Sequence, residues 1–259
     1  MLPIIIAGPC SMESLSTMNT IAEHCNRICN DLGFEYVFKS SFDKANRSDV
    51  NSYRGPGLEQ GLKWLELVKR NWSIRVTTDV HESFQVDAAS KIIDIIQIPA
   101  MLARQTDLIL AAAKTGRILN IKKGQSMDLV DVLNIINKVK SVSNSELIIT
   151  ERGSTFGYHD LVVDFRTLIQ MKKLNIKTGF DATHTNQKPS FNGMSSGGSP
   201  EMIPFLTRAA ASIGVDYIFI ETHPDPNSAL SDGACMLPLA DFEKLLLQIR
   251  SLSKCLESF

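Results

Sequence analysis

Cysteine is scarce and odd in number. The five cysteines among 259 residues form no C-x-x-C pair and no spacing of a disulfide framework, which excludes a stapled secreted scaffold and a zinc-knuckle module and leaves reduced thiols as the expectation. An excess of charge is also missing. Lys+Arg of 27 against Asp+Glu of 28 leaves a formal net charge of −1, so no global field favours nucleic acid or an anionic membrane, and the basic residues must act locally. Long apolar runs are absent too. Met1-Leu2-Pro3-Ile4-Ile5-Ile6 is apolar but short, lacks a basic leader and runs into Gly8-Pro9, which argues against a signal peptide or membrane span and for a cytoplasmic enzyme. No linker divides the chain. With 44% hydrophobic and 21% charged residues it can bury a large core, and residues 1–259 are expected to form one catalytic domain.

What is present is an alternation of short β-branched runs with longer stretches of helical spacing. Strands are expected at 3–7, 36–39, 74–78, 92–98, 118–122, 147–151, 177–181 and 217–221, and helices at 18–32, 58–70, 103–115, 127–139, 161–173, 201–213 and 238–253. Strands apolar on both faces, each followed by a helix, imply parallel pairing covered by helices. About eight such units in a chain of this length make an α/β fold of the (β/α)8 TIM-barrel type. The polar, glycine-rich stretch 189–200 reads as an active-site lid.

In such a barrel the chemistry gathers at the C-terminal ends of the strands. The second strand runs into Lys39-Ser40-Ser41-Phe42-Asp43-Lys44-Ala45-Asn46-Arg47-Ser48, where lysine point charges and a forked guanidinium converge as they do around phosphate or carboxylate ligands. Lys39 and Lys44 from the second strand, Lys122 from the fifth and Arg152 from the sixth point into one mouth, and four cations there ask for a polyanionic ligand. Cys10, His184, Glu221 and Asp232 form a second set. One thiol, one imidazole and two carboxylates suit a divalent transition metal, with zinc, iron(II) and manganese all open. Cys25 and Cys29, beside His24, share a helix face with Ile21 and Ile28 and read as core. Cys235 and Cys255 read as structural. His159 and His223 either line the pocket or support the loops around it.

The Lys39–Ser48 run, together with Ser52-Tyr53-Arg54-Gly55-Pro56-Gly57, Ile5-Ile6-Ala7-Gly8-Pro9-Cys10, Gln97-Ile98-Pro99-Ala100, Arg104-Gln105-Thr106-Asp107-Leu108, Asn120-Ile121-Lys122-Lys123-Gly124-Gln125, Thr150-Glu151-Arg152-Gly153, Asp181-Ala182-Thr183-His184 and Glu221-Thr222-His223-Pro224, closely resembles the 3-deoxy-D-manno-octulosonate 8-phosphate synthase family almost end to end. The resemblance implies a homotetrameric barrel. It also implies condensation of phosphoenolpyruvate with D-arabinose 5-phosphate, releasing inorganic phosphate and forming the eight-carbon sugar acid of lipopolysaccharide. Carried over, Lys39, Lys44, Gln97, Lys122 and Arg152 would bind phosphoenolpyruvate, and Asn46, Arg47 and Ser48 the aldose phosphate, with Arg104 reaching that phosphate across a subunit interface. Asp79 and His81 match pocket residues, and the catalytic set reads as Lys44, Asp79, His81 and Asp232. Cys10 resembles the metal-dependent members, whereas metal-independent members carry asparagine there. The chain departs from the family at Asp49, Met101 and Ala103. Lys44 is expected to donate a proton, its pKa lowered by Lys39 and Arg47. Three rivals remain: the sister synthase of the seven-carbon product, which shows Lys-Pro-Arg-Thr where this chain has Asn46-Arg47-Ser48; a Schiff-base aldolase on Lys39 or Lys122; and a non-catalytic sugar-phosphate-binding barrel.

Overall fold

A computed structural model of the chain describes residues 1–47, 49–157, 160–188 and 197–256. Eight parallel strands run β1 Ile4–Gly8, β2 Tyr36–Lys39, β3 Arg75–Asp79, β4 Ile95–Ile98, β5 Ile118–Lys122, β6 Leu147–Glu151, β7 Lys177–Asp181 and β8 Tyr217–His223. Each pairs with the next, and β8 returns to β1 with Ile4 opposite Tyr217 and Gly8 opposite Glu221. The sheet is therefore closed, and the expected (β/α)8 barrel is what forms. Eight helices wrap it: α1 Leu15–Leu32, α2 Leu58–Trp72, α3 Ser83–Ser90, α4 Thr106–Lys114, α5 Leu129–Lys140, α6 Phe165–Lys172, α7 Ile203–Ile213 and α8 Phe242–Leu256.

Strand parity decides where every side chain goes, because successive residues of a strand face opposite sides. Tyr36 and Phe38 of β2 pack outward under the helices, in the large core that also takes Ile5, Ile96, Ile121 and Ile220. Val37 points inward with Ile6, Ile95, Ile148, Tyr217 and Phe219, a plug that makes the barrel a packed core and not a pore. One step above Val37, Ile95 and Phe219 the same parity brings Lys39, Gln97 and Glu221 to the interior. Gly8 marks the tightest approach there, since a Cβ on it would meet the Lys39 carbonyl at 1.9 Å.

Among the boundaries that differ from the periodicity, two have a plain local reason. The helix expected over 161–173 starts at Phe165, because Asp164 caps it by accepting from Arg166 N at 3.0 Å, while Leu161–Val162 pairs antiparallel with Ser154–Thr155. The strand expected from 92 starts at Ile95, because Ile92 N and Ile93 N both bond the Ala89 carbonyl. Helix α3 was not expected. It is too short for periodicity to register, and its signature is the capping box of Glu82 and Gln85, a three-residue spacing that announces a helix start. Cys25 and Cys29 lie fully buried on the inner face of α1, so the core reading of that pair is correct. No helix among the described residues is long and apolar enough to cross a membrane.

Candidate active site

The C-terminal strand ends enclose a cavity of about 680 Å³ lined by Lys39, Lys44, Asp79, Gln97, Lys122 and Arg152, with Asn46, Arg47, His81, His184, Glu221 and Asp232 also on its walls. The four cations expected in one mouth thus share it. Lys39 is 2% exposed, and its Nζ donates to Glu221 Oε1 at 2.8 Å and to the Cys10 carbonyl at 3.1 Å. Lys122 Nζ lies 2.7 Å from Asp181 Oδ2 and 3.2 Å from the centre of the Phe219 ring. Burial depresses its pKa to about 8 against the opposing pull of Asp181, and Lys39 adds to the depression. Arg152 donates Nη2 to Gln187 Oε1 at 3.0 Å. Its Nη1 is buried with no hydrogen-bond partner among the described residues, and a buried unpaired guanidinium donor is costly unless an anion meets it.

Lys123 and Glu151, the neighbours of Lys122 and Arg152, face the other way. They pair at 3.3 Å outside the barrel wall, and Glu151 Oε1 accepts from Gly153 N at 2.6 Å, so alternation separates structural charges from site charges.

Cys10 Sγ and one oxygen each of Glu221 and Asp232 lie within 4.8 Å of one another. His184 stands beside this cluster, not in it. Its Nε2 is 3.7 Å from Glu221 Oε2, while Asp181 Oδ2 holds its Nδ1 at 2.9 Å, the arrangement by which an outer carboxylate orients a ligating imidazole. Glu221 Oε2 is buried without a hydrogen-bond partner among the described residues. An orphaned carboxylate oxygen among a thiol, a second carboxylate and an aimed imidazole fits a divalent transition metal. Burial, then Asp232 and Glu221, push the Cys10 pKa well up, so the thiol keeps its proton and donates to Asp232 Oδ2 at 3.0 Å; that proton must leave when a cation binds. For Asp232, burial works upward, but His184, Lys44, the Cys10 hydrogen bond and Arg47 bring its pKa down to about 2.

Lys44 corrects an expectation. Burial pulls its pKa down, but the carboxylates of Glu221, Asp79 and Asp232 outweigh that and raise it above the ordinary value. Repulsion by Lys39 and Arg47 does not decide the matter, so Lys44 stays a cation. Its Nζ donates to Ser41 Oγ at 3.0 Å; Ser41 donates to Asp79 Oδ1, whose Oδ2 lies 3.1 Å from His81 Nε2. Burial raises the Asp79 pKa less than His81, Lys39 and Lys44 lower it, which keeps it a carboxylate and an acceptor.

Arg47 donates Nε to the Tyr53 carbonyl at 3.1 Å and Nη2 to the Leu230 carbonyl at 3.2 Å. Asp49 bonds Asn51 N at 2.9 Å and does not line the cavity. Arg104 lies away from it: 76% exposed, 4.0 Å from Asp131, it contributes nothing to its own chain's mouth. Ser48, His159 and most of the expected lid, 189–196, lie outside the described residues. His223 is a loop support, with Nδ1 2.7 Å from the Asp225 carbonyl and no place on the cavity wall. The residues that sequence reading passed over are Ser41, Asp181, Gln187 and Phe219. Ser41 and Asp181 stand inside motifs already noted, and strand parity is the signal that would have placed Phe219 beneath Lys122.

The model of the DAHP synthetase I family matches residues 2–258. The chain belongs to the DAHP synthetase I family. Within it, this member is 51% identical over 243 residues, 94% of this chain and 87% of the relative, to a 2-dehydro-3-deoxyphosphooctonate aldolase of Fusobacterium nucleatum. Proteins of the same name from Syntrophotalea carbinolica and Shewanella denitrificans are 48% and 45% identical, covering 96% and 99% of this chain and 90% of each relative. The motifs that carry the resemblance to 3-deoxy-D-manno-octulosonate 8-phosphate synthases therefore lie in a DAHP synthetase I family chain whose relatives bear that aldolase name.

Proposed function

We propose that the chain condenses phosphoenolpyruvate with D-arabinose 5-phosphate and water to give 3-deoxy-D-manno-octulosonate 8-phosphate and inorganic phosphate, a reading that the name of its relatives supports, and that the product serves lipopolysaccharide synthesis. The observation that carries this reading is the meeting in one cavity of four cations and the two carboxylates, Glu221 and Asp232, that cluster with the Cys10 thiol. Lys122, Arg152, Lys39 and Gln97 bind the phosphoenolpyruvate anion, with Arg152 Nη1 as its ready donor. Asn46, Arg47 and Ser48 take the aldose phosphate, and Arg104 completes that subsite in a neighbouring subunit of a homotetramer. The chain acts as one catalytic domain in the cytoplasm.

C3 of the enol phosphate attacks the aldehyde carbon, water adds at C2, and the hemiketal phosphate collapses by C–O cleavage. Lys44, held as a cation, stabilises the oxyanion that develops on the aldehyde oxygen, and Ser41 with Asp79 and His81 fixes its ammonium. Cys10, Glu221 and Asp232, with His184, hold a divalent metal, which when bound supplies Lewis acidity to an oxygen or acidity to a water.

Phosphoenolpyruvate affinity should fall as pH rises through about 8, because Lys122 loses its charge there. The free-energy sign is that of a depressed base: the protonated form is disfavoured in the fold, a penalty present below pH 8 and relieved between 8 and the ordinary lysine value of about 10.4. Bound anion opposes the loss, so binding takes up a proton, and affinity drops by up to about tenfold per pH unit above 8. Calorimetric titration from pH 7 to 9 measures it, and Lys122→Arg should flatten the profile; an unchanged slope in that variant would remove Lys122 as its cause.

The reaction itself is tested by mass spectrometry of products from phosphoenolpyruvate with arabinose 5-phosphate or erythrose 4-phosphate, with borohydride trapping alongside. An eight-carbon product and no trapped adduct are expected. Preference for erythrose 4-phosphate would install the sister synthase, and an adduct on Lys39 or Lys122 a Schiff-base aldolase.

A further inference from the structure

Asp232 reaches the cluster from a loop whose apolar anchorage lies on its C-terminal side, at Cys235 and Met236. Leu230, two residues before Asp232, is 50% exposed, so hydrophobic burial does not seat the entry to the turn. Asp232 itself has φ 51, a left-handed conformation that aspartate tolerates but that needs support from its surroundings. Gly233 after it is pressed so close that a Cβ would lie 2.1 Å from the Pro226 carbonyl. The turn is tied down at the backbone of Leu230. Its N–H donates to Glu13 Oε1 at 2.8 Å, a contact spanning 217 positions, and its carbonyl accepts from Arg47 Nη2 at 3.2 Å. His223 Nε2 stands 3.3 Å from Glu13 Oε2, close but without a hydrogen bond between them. Glu13 is itself mostly buried, its side chain 13% exposed.

Cys10 and Gln187 also contact the turn, at Ser231 and Asp232, but the two ties at the Leu230 backbone are not equivalent. Arg47 lines the cavity, and a guanidinium that turns to a phosphate gives up its carbonyl contact. Glu13 is not on the cavity wall, so an anion entering the mouth does not compete for its bond. We propose that Glu13 is a positioning residue that holds Asp232 at the metal cluster through the Leu230 N–H, so that the cluster keeps its geometry while Arg47 engages substrate. This rests on the metal reading of Cys10, Glu221 and Asp232 given above.

The test uses cobalt(II) as probe on the full chain, following the thiolate-to-cobalt charge-transfer absorption of Cys10 as the metal is titrated. Glu13→Ala and Glu13→Asp, which lose the reach to Leu230, should need about 10- to 100-fold more cobalt for half-saturation, the usual cost of losing an outer-shell partner. Glu13→Gln keeps the reach and loses the charge, and should stay close to the wild-type titration. Phosphoenolpyruvate affinity of the metal-free variants should be unchanged, which a general structural defect would not spare. Should Glu13→Ala fail to fold, the aspartate and glutamine variants carry the comparison alone. Wild-type cobalt affinity in Glu13→Asp, or a loss in Glu13→Gln equal to that in Glu13→Asp, overturns the proposal. Absence of the absorption band from the wild-type chain overturns the metal reading, and this inference with it, before any substitution is made.

Discussion

Replacing Lys39 by methionine should lower the unfolding free energy by about 3 kcal/mol and the melting temperature by roughly 6–12 °C. The ammonium is 2% exposed and its partner Glu221 0% exposed, at 2.8 Å. Removing one member of a buried pair strands the other in low dielectric, a loss of about 3–5 kcal/mol. The lower end applies because His184 and Lys44 also act on Glu221 and draw its pKa down along with Lys39, against burial. The double variant Lys39→Met/Glu221→Gln removes the stranded charge and should regain most of the loss. Thermal unfolding in chelator decides it, and a shift below about 2 °C for Lys39→Met would mean that the pair is solvated and contributes little.

Cys10→Ala should lower divalent-metal affinity by more than about 100-fold, the upper end of what outer-shell substitutions cost, and turnover should fall with it. Stability should barely change, since the alanine removes one sulfur from a 0% exposed position and a void of that size costs about 1 kcal/mol. Cys10→Ser separates ligand chemistry from packing. The hydroxyl can still donate to Asp232, but a hard oxygen in place of a thiolate shifts preference from zinc toward manganese. Competition between the two metals in chelator-buffered solution reads the shift directly. Retention of full zinc affinity in Cys10→Ala would take Cys10 out of the ligand set.

Most of the fold was legible because a parallel barrel repeats one unit, and its strands announce themselves as β-branched runs ending in polar residues. Lys39, Lys122 and Arg152 were legible as one group by the rule that strand ends converge. The error at Lys44 has a physical origin. Lys39 and Arg47 are the cations near it in the sequence, but the carboxylates that set its protonation, Glu221, Asp79 and Asp232, arrive from distant parts of the chain and cannot be weighed along the sequence. The same holds for Glu13 and Leu230, whose bond spans almost the whole chain. His184 was grouped with the cluster by residue type, whereas its position 3.7 Å from Glu221 follows from the Asp181 hydrogen bond, which type alone does not reveal. Helix α3 escaped because eight residues give scarcely two turns of periodicity.

The measurement that bears most directly on a metal-assisted condensation at this mouth is inorganic phosphate release from phosphoenolpyruvate with arabinose 5-phosphate, on the protein as purified, after chelation, and after return of manganese, iron(II) or zinc. Release that depends on the aldose, vanishes with the chelator and returns with a metal is the predicted result. Undiminished release in chelator would contradict the role given to Cys10, Glu221 and Asp232, and no release with any metal would reduce the cavity to a sugar-phosphate-binding site.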